Sequence, residues 1–313
     1  MTWGNGIVKG VASGPRAKGS AGVPPSPVVD TGPVTSPTTT GRMAEAASIA
    51  EILRERPALV LTGAGMSTAS GIPDYRGPDG TRRVTPMHLS EFVASSQARQ
   101  RYWARSFVGW RRFSAARPNA AHHLVTELQQ RGAVGGVITQ NVDMLHQAAG
   151  TTDVIDLHGT LAEVVCLTCG ARERRVDLDE RMSSENPGFD ADSDEIRPDG
   201  DVRLDQVDVD RFVAPRCLGC GEDTLKPDVV FFGGAVAKPL VERCFALTDA
   251  APSLLVLGSS LQVMSGLRFV RRAARNGVPV VIITRGATRG DELATHRLDG
   301  ELEPALRGLL DRL

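Results

Sequence analysis

The chain has 313 residues, of which 41% are hydrophobic and 23% are charged, a composition typical of globular proteins and not of disordered or fibrous ones. A chain of roughly 300 residues can bury one large core or two smaller ones. Its 36 lysines and arginines almost balance its 37 aspartates and glutamates, giving a net charge of −1. This balance lacks the positive field of a general nucleic-acid or anionic-membrane binder, so neither partner is expected.

The N-terminal segment, residues 1–42, consists mainly of Gly, Pro, Ser, Thr and Val and shows no helical or alternating pattern. It is predicted to be a disordered tail; the alternative is that Met43 is the true start of the protein. The sequence contains no secretory signal pattern and no apolar run that approaches the roughly 18 residues of a membrane span. We expect a cytoplasmic protein, in a bacterial cytosol or, as the alternative, in the mitochondrial matrix.

From residue 44 onward, short apolar strands alternate with helical patterns. Helices are predicted at residues 44–54, 122–131 and 267–276. Buried strands are predicted at residues 58–62, 137–139, 253–257 and 278–283. This alternation predicts an α/β fold, with a Rossmann-like parallel sheet and helices on both of its faces.

A glycine turn, Gly63-Ala64-Gly65, directly follows the first predicted strand. Glycines allow backbone N–H groups to approach phosphate oxygens, although a purely steric role in a tight turn is an open alternative. A typical dehydrogenase also has an acidic residue about 20 positions later, which holds the ribose. Residues 81–84 contain no acid. The pattern therefore favours nucleotide binding but counts against hydride transfer.

Four of the five cysteines form two Cys-x-x-Cys pairs, each followed by glycine: Cys166, Cys169, Cys217 and Cys220. Four thiolates can bind Zn²⁺ tetrahedrally and leave no open position, so the predicted metal is structural. The alternatives are two unrelated pairs of core cysteines or a redox dithiol. The polar, acidic sequence between the pairs interrupts the strand and helix rhythm, which predicts a small inserted zinc-binding module at about residues 160–225.

Polar side chains follow two of the apolar strands. Gln140, Asn141 and Asp143 come after the strand at residues 137–139, and His158 comes after the apolar residues 154–157. Ligands of open α/β sheets bind at the carboxyl ends of the strands. Taken separately, however, Asn141 and Asp143 could be helix caps, and His158 could be a packed structural histidine.

Six motifs, in order between about residue 44 and residue 313, together resemble the sirtuins, which are NAD-dependent protein-lysine deacylases. The motifs are Gly63-Ala64-Gly65-x-Ser67 with Gly71-Ile72-Pro73-Asp74-Tyr75-Arg76, Thr139-Gln140-Asn141-Val142-Asp143-x-Leu145-His146, Leu157-His158-Gly159, the two cysteine pairs, Val229-Val230-Phe231-Phe232-Gly233 and Gly258-Ser259-Ser260-Leu261-Gln262-Val263. Tyr102-Trp103-Ala104-Arg105 and Lys226-Pro227-Asp228 make the class II branch the most similar.

The resemblance implies a catalytic domain over residues 43–313, in which NAD and an acyl-lysine strand enter a cleft between a large Rossmann-like lobe and the zinc module. The implied cofactors are NAD and Zn. The implied NAD-binding residues are Gly63, Ala64, Gly65, Ser67, Asp74, Tyr75, Arg76, Gln140, Asn141, Asp143, Gly258, Ser259, Ser260, Thr284, Gly286 and Asp299. The residues implied to pair with the backbone of an acylated protein substrate are Val230, Phe231, Phe232, Gly233, Gln262 and Val263.

The implied reaction removes the acyl group from lysine and releases nicotinamide and O-acyl-ADP-ribose. The catalytic residues carried over are His158, the general base towards a ribose hydroxyl, and Asn141 and Asp143, which line the nicotinamide pocket. An imidazole with a pKa near 6.5 suits proton removal at neutral pH. Many family members have Asn where this chain has Thr284, so weaker or differently oriented ribose binding is expected.

Tyr102 and Arg105 lie three residues apart on a predicted helix and therefore on one face of it. In a related sirtuin branch such a pair binds acyl groups that end in a carboxylate, which arginine can bind through two hydrogen bonds. A solvated basic face is the alternative, since Arg99, Arg101 and Arg111 lie on the same segment.

Two other functions compete with deacylation. Mono-ADP-ribosyl transfer to protein would use the same NAD pocket with a different acceptor. A zinc-ribbon binding module with an inactive nucleotide fold would need neither catalytic group, yet Asn141, Asp143 and His158 are all present.

Overall fold

The computed structural model describes residues 39–77, 80–191, 193 and 197–313. Its helices are α1 (Thr39–Glu55), α2 (Leu89–Ala94), α3 (Ser96–Ala115), α4 (Ala120–Gln130), α5 (Leu145–Ala148), α6 (Arg175–Glu185), α7 (Gln206–Arg211), α8 (Lys238–Ala250), α9 (Met264–Arg275) and α10 (Leu302–Leu310). Its strands are β1 (Ala58–Thr62), β2 (Val134–Thr139), β3 (Val154–Asp156), β4 (Gly159–Cys166), β5 (Arg172–Arg174), β6 (Leu225–Val229), β7 (Leu254–Leu257), β8 (Val280–Thr284) and β9 (His296–Asp299). Most of the predicted tail, up to residue 38, lies outside the described residues, and α1 begins at Thr39.

Six strands form one sheet in the order β3-β2-β1-β7-β8-β9. Every neighbouring pair in it is parallel. Numbered by their appearance within this sheet, the strands read 3-2-1-4-5-6, which is the order of the doubly wound dinucleotide-binding fold. The predicted parallel α/β architecture is confirmed, and β1 has the predicted bounds.

Helices cover both faces of this sheet. All five residues of β1 are buried. Val60 packs in one cluster with Ile49 of α1 and Leu306 of α10. Leu59 and Leu61 point the other way, into a cluster that contains Phe269 of α9. Successive strand residues face opposite sides, so a strand covered on both sides must be apolar throughout, which is the pattern seen in the sequence.

A second, antiparallel sheet has the order β5-β4-β6 and lies in the chain between the third and fourth strands of the main sheet. Helix α3 packs on it through Trp103, whose Nε1 donates a hydrogen bond to the main-chain oxygen of Leu225 at 3.0 Å. The buried Arg175 guanidinium lies over the rings of Trp103 and Trp110. Residues 160–225 as the bounds of an inserted module stay a prediction. In the described part of the chain, no helix is long and apolar enough to cross a membrane.

Gly159 joins the two sheets at the point where β4 begins. Its φ is +78°, and a Cβ there would lie 1.9 Å from the main-chain oxygen of Asp228, on β6. Both the left-handed backbone and the close approach of β6 therefore require glycine. The neighbouring residue on the N-terminal side is His158, so this constraint fixes the backbone of a predicted catalytic residue.

We expect Gly159→Ala to lower the free energy of unfolding by roughly 2 kcal/mol or more, because the methyl group must displace β6 and the φ is unfavourable. Gly300→Ala is the control, since a Cβ at Gly300 meets no atom within 4 Å. Denaturant unfolding of both variants measures the difference. Equal stability of the two variants would show that the β4–β6 junction tolerates a side chain.

Candidate active site

The order of the strands in the main sheet reverses between β1 and β7. From β1 the chain continues to β2 and β3 on one side, and from β7 it continues to β8 and β9 on the other. Ligands of open α/β sheets bind at the carboxyl ends of the strands next to such a reversal. Gly63, Gln140 and Gly258 directly follow β1, β2 and β7 there. The sheet therefore brings three of the predicted segments to one place.

Two glycine turns pack against each other at this edge. The N–H of Gly65 donates to the main-chain oxygen of Gly258 at 2.8 Å. A Cβ on Gly65 would lie 2.9 Å from that oxygen, and a Cβ on Gly63 would lie 2.8 Å from the side chain of Ser259. The steric role that the sequence left open therefore applies at both glycines, since side chains would push the two turns apart.

Ser67, Asn141 and Asp143 form one hydrogen-bonded network. Ser67 Oγ donates to Asp143 Oδ2 at 2.6 Å. The side-chain amide of Asn141 donates to Ser67 Oγ and to the main-chain oxygen of Gly63, both at 3.0 Å. Burial raises the pKa of the Asp143 carboxyl, while the hydrogen bonds from Ser67 and from the Leu145 N–H lower it. The network holds the predicted nicotinamide-pocket residues against the glycine turn.

Gln140 connects this network to the predicted base. Its N–H donates to the main-chain oxygen of Thr62 at 3.0 Å, and its side-chain oxygen accepts a hydrogen bond from Ser259 Oγ at 2.8 Å. Its main-chain oxygen lies 2.9 Å from His158 Nδ1. Gln140 therefore links the ends of β1, β2 and β7 to His158, which lies between β3 and β4.

The contacts of His158 define its tautomer. A carbonyl oxygen only accepts, so Nδ1 carries the proton that it donates to Gln140. Burial is the main cause that lowers the pKa of His158, and Arg268 lowers it further, while the hydrogen bond to Gln140 raises it. The imidazole is therefore neutral at neutral pH, and its Nε2 carries the lone pair that accepts hydrogen bonds. Ser265 Oγ lies 2.8 Å from this Nε2.

Three of the predicted NAD-binding residues, Thr284, Gly286 and Asp299, lie together at the ends of β8 and β9. Thr284 pairs with Asp299 in the register of these strands. Asp299 Oδ1 accepts a hydrogen bond from the N–H of Gly286 at 3.0 Å. The next loop reaches back towards β7, because the N–H of Arg289 donates to the main-chain oxygen of Ser260 at 3.0 Å.

The predicted NAD-binding residues Asp74 to Arg76 lie in a loop that contacts the predicted substrate segment. Asp74 accepts a hydrogen bond from Arg83 at 3.0 Å, within the same loop. The ring of Tyr75 meets the ring of Phe232 edge to face, with centroids 5.5 Å apart. Arg76 donates to the main-chain oxygen of Gly80 at 3.0 Å. Pro78 and Asp79 at the tip lie outside the described residues.

The predicted substrate residues lie on both sides of His158. The N–H of Val230 donates to the main-chain oxygen of His158 at 2.8 Å, and Phe232 accepts a hydrogen bond from the N–H of Leu89. Phe231 is buried in the core beneath, whereas Gln262 and Val263 are exposed at the start of α9. Gly233 has a positive φ that ends the segment.

The four paired cysteines cluster as predicted. Their sulfur atoms all lie within 4.8 Å of one another. The distance is 3.6 Å both from Cys166 to Cys220 and from Cys169 to Cys217. Zinc–sulfur bonds of about 2.3 Å in a tetrahedron place the sulfurs roughly 3.8 Å apart, so the geometry fits Zn²⁺.

The two chelating loops are built alike. The N–H of Gly170 donates to the main-chain oxygen of Cys166, and the N–H of Gly221 donates to that of Cys217. Both glycines have φ between +75° and +77°, with no atom near a Cβ, so glycine is required there for its backbone and not for space. The left-handed backbone conformation therefore explains why glycine follows each Cys-x-x-Cys pair.

Comparison with known proteins decides the family. A family model described as the Sir2 family matches residues 63–265. The chain belongs to the Sir2 family. A Streptomyces coelicolor relative named NAD-dependent protein deacetylase 1 is 54% identical over 268 residues, 85% of this chain and 89% of the relative. A Mycobacterium avium relative of the same name is 47% identical over 281 residues, 88% of this chain and 98% of the relative.

Solved Sir2 structures have the same fold. One that contains a p53 peptide and NAD⁺ matches with a TM-score of 0.68 and 29% identity, over 84% of this chain and 96% of that chain. Another, bound to a myristoylated histone peptide, matches with a TM-score of 0.62 and 25% identity, over 86% of this chain and 96% of that chain. The resemblance to sirtuins is confirmed for the family, whereas the class II branch stays a prediction.

Within this Sir2 fold, Tyr102 and Arg105 lie on α3, which confirms the predicted helix but not their role. Tyr102 is buried and packs against Phe231, with ring centroids 5.2 Å apart. Arg105 is partly buried, and its Nε has no hydrogen-bond partner among the described residues. Burial lowers the pKa of Arg105, and the charge of Asp201 raises it. The pKa of Asp201 itself is raised to about 7 by burial and by the charge of Asp199.

The site also contains Thr62, Asn119 and Ser265, which none of the sequence motifs included. Thr62 Oγ1 donates to Thr139 Oγ1 at 2.8 Å and contacts His146 Nε2 at 3.1 Å, forming a polar layer behind the network. Asn119 donates to the main-chain oxygen of Met66 at 2.9 Å and holds the glycine turn from α4. Ser265 contacts His158. Of these three residues, only Thr62 has a position, at the end of a strand, that could have indicated a role in the site.

We expect Cys169→Ser to reduce bound zinc well below one equivalent and to lower the melting temperature. Cys169 is exposed, so its loss removes little packing and the effect reports the metal. Elemental analysis and thermal unfolding measure both quantities. The control is Cys244→Ala, which changes the buried fifth cysteine and should keep the full zinc content. Full zinc content in Cys169→Ser would contradict a four-cysteine site.

Proposed function

We propose that this chain is an NAD-dependent protein-lysine deacylase, which transfers the acyl group to ADP-ribose and releases nicotinamide. The observation that carries the proposal is the geometry of His158, a neutral imidazole whose Nδ1 is fixed by the main-chain oxygen of Gln140 and whose Nε2 faces Ser265 at the start of α9. Its relatives at 47% and 54% identity bear the name NAD-dependent protein deacetylase, which supports the same reaction here.

The donor set at the carboxyl ends of β1, β2 and β7 fits NAD. Ser67, Gln140 and Ser259 offer hydroxyl and amide groups of the kind that bind ribose hydroxyls and pyrophosphate oxygens. NAD, when bound, supplies the ADP-ribosyl group that accepts the acyl group as nicotinamide leaves. Gly286, Asp299 and Thr284 would hold the adenosine end, in agreement with their position one and two strands further along the sheet.

Asn141 and Asp143 would bind the nicotinamide amide. The Asp143 carboxylate accepts from Ser67 and from the Leu145 N–H, and this fixes its direction before any ligand arrives. Asn141 is fixed in the same way by Gly63 and Ser67. Because the groups are already oriented, little further ordering is needed when the leaving group is bound.

His158 would act as the general base. Its Nε2 would accept a proton from a ribose hydroxyl and so prepare that oxygen to attack the acyl carbon, while the Nδ1 proton stays on the ring, hydrogen-bonded to the main-chain oxygen of Gln140. The imidazolium formed is stabilised by this hydrogen bond to a carbonyl dipole. Since the pKa of His158 is lowered in the folded protein, the base is neutral and active at neutral pH and is lost only in acid.

The substrate would be an acylated lysine in an extended protein segment. Solved Sir2 relatives contain acylated or p53-derived peptides, and this chain has exposed Gln262 and Val263 on one side and the Val230–Gly233 segment on the other. An extended peptide between them would bind through main-chain hydrogen bonds, which favours the lysine modification over a particular sequence.

Arg105 is a candidate for binding an acyl group that ends in a carboxylate. Its buried Nε lacks a partner among the described residues, so a ligand carboxylate could satisfy it. Asp201 already offsets part of the charge of Arg105, which reduces the attraction for a second carboxylate. The site therefore favours neutral acyl groups unless the Asp201 carboxyl is protonated.

The decisive experiment combines NAD with acyl-lysine peptides and records nicotinamide release together with the mass of the peptide. We expect His158→Ala to lower acyl removal at least 100-fold, since general-base catalysis contributes about 10² to 10⁴. The control is His123→Ala, an exposed histidine on α4. In the wild type, the rate should fall as the pH decreases below the pKa of His158. An ADP-ribosylated protein without a deacylated peptide would contradict the proposal.

Glutaryl-lysine and acetyl-lysine peptides test the role of Arg105. If Arg105 binds an acyl carboxylate, Arg105→Met should lower kcat/KM for the glutaryl peptide about 10-fold or more and leave the acetyl peptide nearly unchanged. Arg111→Met is the control, because Arg111 is exposed on the same helix. If the ratio of kcat/KM for the glutaryl peptide to that for the acetyl peptide is the same in all three proteins, Arg105 does not bind the acyl group and instead has a structural role beside Asp201.

A further inference from the structure

Ser265 lies beside the base in the first turn of α9. It is 8% exposed, and its Oγ is 2.8 Å from His158 Nε2. The next residue, Gly266, is packed so closely on Gln140 that a Cβ would lie 2.6 Å from its side-chain nitrogen. The start of α9 is therefore held against both His158 and the residue that orients it.

The direction of the hydrogen bond between Ser265 and His158 follows from the tautomer. Nδ1 donates to the Gln140 carbonyl, so in the neutral ring Nε2 can only accept, and the Ser265 hydroxyl donates to it. A hydroxyl group thus already occupies the nitrogen that would remove a proton from the ribose. It makes the same type of hydrogen bond, O–H to N, that the reacting hydroxyl would make.

Helix capping does not account for Ser265. The N-cap of α9 is Val263, which makes no side-chain cap, and Ser265 lies two positions inside the helix. Among the described residues, its hydroxyl makes no hydrogen bond other than the one to His158. The hydroxyl is thus directed at the base and not at the helix backbone.

We propose that Ser265 is a positioning residue whose hydroxyl occupies His158 Nε2 in the NAD-free protein and gives way to the ribose hydroxyl when NAD binds. The role in NAD binding rests on the proposed function. The hydrogen bond itself does not, because it exists in the free protein. Ser265 stabilises the neutral imidazole in the tautomer that carries its proton on Nδ1. On binding, the ribose hydroxyl must replace the hydrogen bond from Ser265 to Nε2 with its own.

The groups around His158 allow the effect of the Ser265 hydroxyl on the pKa of His158 to be measured. From α9, Arg268 disfavours the imidazolium. The contacts from β2 and from the segment after β6 are uncharged, namely the main-chain oxygen of Gln140 and the N–H of Val230. Removing the Ser265 hydroxyl therefore changes the hydrogen bonding of Nε2 without removing an ion pair.

The test is an NMR titration of the histidine ring protons in the NAD-free zinc-containing protein, with the His158 signals assigned by their loss in His158→Ala. In Ser265→Ala we expect the pKa of His158 to rise by about half a unit to one unit, because the neutral form loses a hydrogen bond. Ser265→Thr keeps a hydroxyl and should restore the wild-type value. An unchanged pKa in Ser265→Ala, with a similar melting temperature, would overturn the proposal.

Direct titration with NAD tests the displacement. Ser265→Ala should bind NAD about two- to tenfold more tightly than the wild type, since no hydroxyl has to leave Nε2. Equal or weaker binding would show that Ser265 stays in place and contacts the ribose, which also overturns the proposed displacement. If the wild type binds no NAD at all, the proposed function fails, whereas the titration of His158 in the free protein still decides whether Ser265 holds the base.

Discussion

The hydrogen bond from His158 Nδ1 to the main-chain oxygen of Gln140 is the contact on which the rest of the site depends. It assigns the protons of the imidazole and therefore decides which nitrogen can act as a base. Gln140 can present its carbonyl this way because its N–H is bound to β1 and its side chain to Ser259. Through Gln140, the relative positions of β1, β2 and β7 therefore determine the orientation of the His158 ring.

Burial and hydrogen bonding have opposite effects on the pKa of Asp143 and on that of His158. Burial raises the pKa of Asp143, and the two hydrogen bonds that it accepts favour the carboxylate. Behind it, burial lowers the pKa of His122 to about 3 and that of His146 to about 4, so this layer is uncharged at neutral pH. The histidines behind Asp143 therefore contribute shape and hydrogen bonds but no charge at neutral pH.

The sequence predicted the features that depend on local patterns. β1 is a run of five apolar residues and was located to the residue, and each zinc-binding loop is complete within six residues. Contacts between distant segments could not be predicted in this way. Arg99 belonged to a segment that could have been a solvated basic face, yet it is buried and binds Asp223 at 2.8 Å, 124 residues further on. Ser265 likewise resembles an ordinary serine at a helix start until the fold brings His158 beside α9.

The backbone of the small sheet connects the four-cysteine site to His158, the proposed general base. β4 begins at the residue after His158 and ends at Cys166, and β6 begins five residues after Cys220 and ends at Val229. Beyond β6, the N–H of Val230 donates back to the main-chain oxygen of His158. A metal that fixes the far ends of β4 and β6 therefore also restrains the position of His158 relative to the segment proposed to bind substrate. Zinc with four thiolates has no open position for chemistry, so it can act on this region only through the backbone of the two strands.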